Sequence, residues 1–178
     1  MELVEEKRIE LERSPLYAAV LRALKPHPVV TDIRFLAVGN FGLADRNAEY
    51  QTALALLLQA HFDADVTAWD PNFKKSDLRI LSALGIRVVE RDPKPSPTRL
   101  WFVPHAPYFL EPDLLRRVGT NVYIGNDLTL ETENTMRDVK ACEPYRQQAK
   151  ITPLKVKPKD PYREAFKNTA VHELLPAS

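Results

Sequence analysis

Polar residues that could bind a ligand follow four short apolar segments of the chain. They are Gly39-Asn40-Phe41-Gly42, Asp70, His105 and Asn126. A glycine-containing turn can direct backbone N–H groups toward an anionic or polar ligand. Asp70 follows the second apolar segment, where a carboxylate can accept hydrogen bonds from sugar hydroxyls. Imidazole can transfer protons near neutral pH or ligate iron, so His105 is the candidate catalytic residue. Together these residues predict a small-molecule site.

Each of these residues also has a purely structural interpretation, and the sequence leaves both open. Asn40 could satisfy its own loop, and Asp70 could form an Asx turn before Pro71. His105 could hydrogen-bond the loop around it, and Asn126 could cap the turn before the last helix. The glycine turn fits a dinucleotide fingerprint only if Ala37 replaces its first glycine. No nucleophile triad, Walker loop, carboxylate pair or metal-ligand spacing can be assigned.

The elements that must position these residues alternate along the chain. Strands are predicted at 33–38, 65–69, 87–89, 100–103 and 122–124, most of them short and apolar throughout, as buried parallel strands are. Helical spacing and capping signals predict helices at 3–13, from Ser14-Pro15 onward, and at 47–60, 76–85, 111–118 and 131–140.

This alternation predicts an α/β fold, specifically a Rossmann-like three-layer sandwich with a mostly parallel five-stranded sheet and helices on both faces. The four polar motifs then meet at the carboxyl ends of the strands, where such sheets bind ligands. The connection at 91–98 contains three prolines and is short for a parallel crossover. It suits either an irregular crossover from a parallel edge strand or an antiparallel edge strand.

The organisation expected from composition has three parts. Residues 1–30 form a helical segment that packs on the core, residues 31–142 form the α/β domain, and residues 143–178 form an extended, partly mobile tail rich in lysine and proline.

Composition also restricts the class of protein. The chain has 178 residues, 44% of them hydrophobic, which suits one domain, and its net charge of +1 does not favour a nucleic-acid partner. The single cysteine, Cys142, cannot form an internal disulfide. The chain has neither a signal-like N-terminus nor an apolar run near the ~20 residues of a membrane span. These features predict a soluble protein of the cytoplasm or nucleus, with no membrane contact.

Several blocks of the sequence resemble the sensitivity-to-red-light-reduced (SRR-like) domain family. They are Val38-Gly39-Asn40-Phe41, Gln51, Trp69-Asp70-Pro71-Asn72-Phe73, Phe102-Val103-Pro104-His105 and Ile124-Gly125-Asn126. The resemblance implies a eukaryotic regulatory protein, linked in plants to light signalling and circadian clock input, in animals to haem biosynthesis and clock-gene expression, and in a fungal relative to microtubule-drug sensitivity. It makes haem a candidate ligand through His105, although Cys142 precedes glutamate rather than proline. Gly42 and Asp127 stand where the family often has serine.

Two function hypotheses remain. In the first, a nucleotide or S-adenosylmethionine occupies a pocket with residues 39–42 as a cradle, Asp70 on a diol, and His105 and Asn126 at the mouth. In the second, the α/β core is a scaffold whose N-terminal helices or C-terminal tail bind a protein partner.

Overall fold

A computed structural model describes residues 2–42, 46–92, 94–119, 121–130 and 139–174. The helices are α1 (Glu2–Glu12), α2 (Pro15–Leu24), α3 (Asn47–Phe62), α4 (Lys75–Ala83), α5 (Glu111–Val118), α6 (Val139–Gln148) and α7 (Arg163–Phe166), and a 3-10 turn covers Tyr108–Leu110. The strands are β1 (Asp32–Leu36), β2 (Asp65–Trp69), β3 (Arg87–Val88), β4 (Arg99–Val103), β5 (Val122–Asn126), β6 (Ala149–Pro153) and β7 (Thr169–Leu174).

The strands form one mixed sheet of seven strands in the order β3-β2-β1-β4-β5-β7-β6. The pairs from β3 to β5 are parallel, whereas β7 runs antiparallel to both β5 and β6. The predicted α/β class is confirmed. The predicted five-stranded sheet is wrong, because two further strands extend it beyond β5.

Those two strands come from the segment that was predicted to be an extended tail. β7 lies inside the sheet between β5 and β6, and five of its six residues are buried. Proline and lysine dominate only the connection from β6 to α7. Composition averaged over the whole segment therefore predicted a tail where strands flank that connection. The tail prediction is therefore wrong for residues 149–174.

The short crossover at 91–98 follows the first of its two predicted alternatives. β3 is an edge strand and pairs in parallel with β2. β4 pairs with the other side of β1, in the middle of the sheet, so the crossover passes over β2 and β1. The described residues between β3 and β4 contain no helix. An irregular segment therefore connects strands that a helix usually connects in parallel sheets.

Local sequence signals explain where two of the helices begin and end. Ser14 Oγ accepts a hydrogen bond from Tyr17 N (3.1 Å) at the start of α2, as an N-cap should. Gly85 follows α4 with φ +76°, a backbone conformation that suits glycine, and Ile86 N donates to Leu81 O (2.9 Å). Most of the helix predicted at 131–140 falls on residues outside the described ranges, and α6 begins at Val139.

The core consists of two apolar clusters, one on each face of the sheet. Alternation along β1 places Ile33 and Phe35 in the larger cluster, with side chains of α1 to α4 and α7, and places Leu36 in the smaller one. The smaller cluster is completed by α5 and α6, with Leu114 and Val118 as examples. The leucine-rich α3 is buried along most of its length, as its composition predicted. None of the described helices is both long and apolar enough to cross a bilayer.

Candidate functional site

A cavity of about 570 Å³ lies at the carboxyl ends of β1, β2 and β4. Trp69, Leu36 and Val103, at the ends of three adjacent strands, line one side. The first turn of α5 and the turn before it line the opposite wall, and Glu90 lines the edge toward the β3–β4 crossover. The cavity therefore lies on the sheet face that carries α5.

The topology explains why a cavity forms here. The chain leaves β1 through α3 on one face of the sheet and leaves β4 through α5 on the other. Between two such strands a crevice opens, and α/β proteins bind ligands in crevices of this kind. The described residues of the crossover from β3 to β4 provide no helix to cover the adjoining strands. The space between Glu90 and α5 is consequently left open.

The charged residues around the cavity are mostly acidic. Asp70, Glu90 and Asp113 line it together with one guanidinium, that of Arg117. That guanidinium also forms an ion pair with Asp92, since Arg117 Nε donates to Asp92 Oδ2 (2.6 Å). Such a lining repels a phosphorylated ligand and suits a neutral or cationic one.

The glycine turn after β1 does not present free N–H groups at the places where its sequence suggested an anion cradle. Three of its N–H groups donate to carboxylates of the same chain: Gly39 to Asp70 Oδ2 (3.0 Å), Phe41 to Asp77 Oδ1 (3.4 Å) and Gly42 to Glu49 Oε1 (2.9 Å). The Asn40 amide nitrogen, in the orientation that satisfies its neighbours, donates to Asn72 O (2.8 Å) and Asp77 Oδ2 (3.1 Å). A phosphate group would have to displace these internal carboxylates.

Phe41 and Gly42 contribute to a different, smaller cavity. Its volume is about 170 Å³, and its lining includes residues of α1, α3 and α4. The predicted cradle is thus divided: Gly39 bonds to Asp70 at the main cavity, whereas Phe41 and Gly42 line the smaller cavity together with residues of α1.

Asp70 is the predicted site residue that lines the main cavity. Its Oδ1 accepts a hydrogen bond from Asn72 N (2.8 Å), which is the Asx turn that the sequence allowed. Its Oδ2 accepts a hydrogen bond from Gly39 N (3.0 Å), and the side chain is buried. Asp70 therefore ties the two loops that follow β1 and β2, and contact with a ligand remains a prediction.

His105 and Asn126 lie behind the cavity wall rather than on it. His105 Nε2 is 3.0 Å from Ala165 O, which it can reach only as a donor, and burial lowers the pKa of the imidazole. Asn126 Nδ2 donates to Ala106 O and to Glu111 Oε1, both at 2.7 Å. Both side chains support the loop after β4, whose neighbouring Ala106 does line the cavity.

The sequence reading missed Arg34, which is fully buried in β1. Arg34 Nε donates to Asp92 Oδ1 (3.2 Å) and Nη2 donates to Glu90 O (3.2 Å). Burial lowers the pKa of its guanidinium, Asp92 opposes that shift, and the charges of Arg117 and Arg99 add to it. The available signal was an arginine inside an otherwise apolar strand, a position where charge is costly without a partner.

Metal-binding side chains do not gather at this site. Across the described ranges, no group of three or more His, Cys, Asp or Glu side chains is arranged to hold a metal ion. Cys142 is a buried free thiol in the smaller core cluster.

Comparison with known proteins identifies the family. No curated protein matches the chain. A family model, that of the SRR1 domain, matches residues 11–173 and so spans α2 to β7, including the C-terminal strands. The chain belongs to the SRR1 domain family.

Proposed function

We propose that the chain is a small-molecule-binding protein whose ligand occupies the cavity between the ends of β1 and β4. The observation that carries this proposal is the position of the cavity, at the point where chain connections change faces. Its volume, about 570 Å³, falls in the range of small-molecule pockets. The parallel order β3-β2-β1-β4-β5 is that of doubly wound, Rossmann-like nucleotide-binding sheets, which supports the same proposal.

The proposed ligand is nucleoside-like and carries no phosphate. The half-buried Trp69 provides a ring on which a planar base can stack. Asp113 and Glu90 provide carboxylates that suit hydroxyl groups or a positive charge. Because the N–H groups of the glycine turn already bind carboxylates, a nucleoside or an S-adenosylmethionine-like sulfonium fits better than a nucleotide.

Backbone conformation at the strand ends supports a binding role. Ala37 and His105 follow β1 and β4 and have φ of +53° and +60°, in the left-handed region that residues other than glycine rarely adopt. Such positions cost about 1–3 kcal/mol and concentrate at functional sites. Ala37 lines the cavity, and His105 lies in the loop behind its wall, next to the lining residue Ala106.

We further propose that ligand occupancy serves a regulatory role in the cytoplasm or nucleus. Family membership supports a link to circadian clock input, light signalling or control of haem biosynthesis. Direct haem ligation by His105 is the weaker proposal, since Nε2 would have to leave the Ala165 carbonyl.

A protein partner is the second candidate function. Phe109 and Leu110 are 63% and 45% exposed in the 3-10 turn beside the cavity. Adjacent exposed apolar side chains of this size favour contact with another protein. A protein bound to these side chains would contact the rim of the cavity, so its affinity could depend on whether the cavity holds a ligand.

Mass spectrometry of the gently purified protein tests the ligand proposal. We expect a small molecule in native spectra, either co-purified or acquired from added methylthioadenosine, S-adenosylhomocysteine or ATP, with ATP the weakest. Trp69→Ala should weaken retention about 10-fold or more, because base stacking on an aromatic ring contributes about 1–3 kcal/mol.

Phe62→Ala is the matched control, since it removes an aromatic ring from a separate cavity beside α2. Retention equal to wild type in Phe62→Ala and lost in Trp69→Ala supports the proposal. No retained molecule, or equal retention in both variants, contradicts it.

A further inference from the structure

Three buried polar side chains lie side by side on the sheet face that carries the cavity. Thr67, Arg34 and Trp101 are register neighbours on β2, β1 and β4, and they are 4%, 0% and 2% exposed. Within the described part of the chain, Thr67 Oγ1, Arg34 Nη1 and Trp101 Nε1 have no hydrogen-bond partner. A buried polar atom without a partner is costly, so three in one row require an explanation.

This row lies two residues back along the strands from the lining of the proposed ligand cavity and is not itself part of that lining. Side chains two positions apart on a strand share a face and are about 7 Å apart, and the next positions along these strands are Trp69, Leu36 and Val103 of the cavity lining. The Arg34 guanidinium also reaches the cavity wall, because Nη2 donates to the carbonyl of Glu90.

The charges around the row leave an excess of positive charge. Arg34 and Arg117 share one carboxylate, Asp92, and Arg99 pairs with Asp32. Arg99 and Arg117 both lie over the ring of Trp101, at 5.8 and 5.7 Å from its centroid. In these ion pairs three guanidinium groups face two carboxylates, whereas the carboxylates of the cavity lining, Asp70, Glu90 and Asp113, take no part in them.

We propose that Arg34 Nη1, Thr67 Oγ1 and Trp101 Nε1 form the inner, anion-accepting end of the cavity and bind the carboxylate of its ligand. The assignment rests on the proposed ligand cavity and names the chemistry of one end of that ligand. All three groups can donate hydrogen bonds, and a guanidinium matches the planar shape of a carboxylate.

The charged side chains of α5 that line the cavity follow the same arrangement, with a carboxylate toward the mouth and a guanidinium toward the row. Asp113 lies in the first turn of α5, next to the loop that follows β4, whereas Arg117 lies one turn further toward the amino ends of the strands. A ligand with a carboxylate at its inner end and a neutral or cationic portion at the mouth complements both ends.

Thermal unfolding of the full chain in sodium formate, against sodium chloride at equal ionic strength, tests the anion site without any nucleoside. We expect formate at about ten times its Kd to raise the Tm of wild type by about 3–6 °C. Thr67→Val, which keeps the shape of the side chain and removes the hydroxyl, should reduce that rise. Thr52→Val is the matched control, because Thr52 Oγ1 is also buried without a partner but lies on α3.

Calorimetric titration with S-adenosylhomocysteine and its decarboxylated amine tests whether the ligand supplies the carboxylate. Wild type and Thr52→Val should bind the carboxylate-bearing probe about tenfold more tightly, and Thr67→Val should reduce that difference. Equal binding of both probes, with no formate effect, overturns the anion site and leaves the cavity proposal standing. If formate raises the Tm of wild type and Thr52→Val more than that of Thr67→Val, but neither nucleoside binds, the anion site is supported and the nucleoside-like ligand is rejected.

Discussion

Asp70 is a side chain that both lines the cavity and holds two backbone loops in place. It lines the cavity, yet its two oxygens hold the N–H groups of Gly39 and Asn72. Replacing it with alanine would leave two N–H groups without their charged acceptor, so lost ligand binding in that variant would not distinguish a lost contact from a rearranged loop. Trp69→Ala is the cleaner test because Trp69 contributes a ring rather than an anchor for the backbone.

His105 predicts an acid-sensitive contribution to stability. Burial lowers its pKa below the ordinary value of 6.5, although its bond to Ala165 O opposes the shift. The folded protein then favours neutral imidazole, so this stability is fully present above about pH 6.5 and is lost as pH falls through the lowered pKa. Asparagine tolerates positive φ and does not titrate, so His105→Asn should lack this part of the pH dependence.

The measurement is the difference in Tm between wild type and His105→Asn at about pH 7.5 and about pH 5. We expect that difference to shrink at the lower pH. A difference that stays constant would mean that the imidazole does not titrate differently in the folded and unfolded chains.

At the residue scale, sequence alone located the strand-end motifs but not their bonding partners. Asp70 was recognised because its Asx turn and its strand-end position are local properties. Asp77 and Glu49 were missed as acceptors for the glycine turn because α3 and α4 must first pack beside it. Arg34 was missed for a similar reason, since Asp92 lies 58 residues away in the chain.

At the scale of elements, the C-terminal strands are integral to the core. Phe166 of α7 is fully buried in the larger core cluster, and Leu154 N, directly after β6, donates to Thr169 O at the start of β7 (2.8 Å). We expect Phe166→Ala to lower the free energy of unfolding by about 3–5 kcal/mol, because it leaves a cavity in the core.

Lys157→Ala is the matched control in the same segment, since its side chain is exposed, and it should change stability by less than about 0.5 kcal/mol. Urea denaturation monitored by circular dichroism measures both. Similar, small effects of the two substitutions would mean that the segment does not pack on the sheet in solution.

Elements with strong local signals were predicted well, and those defined by tertiary pairing were not. The buried leucines of α3, the Ser14 cap and the glycine after α4 are visible in short windows of sequence. The segment 169–174 mixes threonine, histidine and glutamate with apolar residues, and it is buried because β5 and β6 cover its two edges. No local sequence pattern predicts the pairing of this segment with β5 and β6.

At the scale of the whole molecule, topology creates the proposed site. The strand order places β1 beside β4, and the crossover from β3 to β4, which has no helix in its described residues, leaves the sheet face between Glu90 and α5 open. The α/β class was predictable from alternation, and the cavity lies at the strand ends, where the sequence predicted a site. The mixed character of the sheet, and the separation of His105 and Asn126 from the cavity, depend on C-terminal and loop packing.

The central claim is that a nucleoside-like molecule binds between the ends of β1 and β4. Amide-resolved NMR of the full chain titrated with methylthioadenosine tests it most directly. We expect saturable shifts at Ala37, Ala106, Leu114 and the Trp69 indole, with none at Leu21 or His61 beside the separate cavity near α2. No saturable shifts, or shifts confined to Leu21 and His61, would contradict the claim.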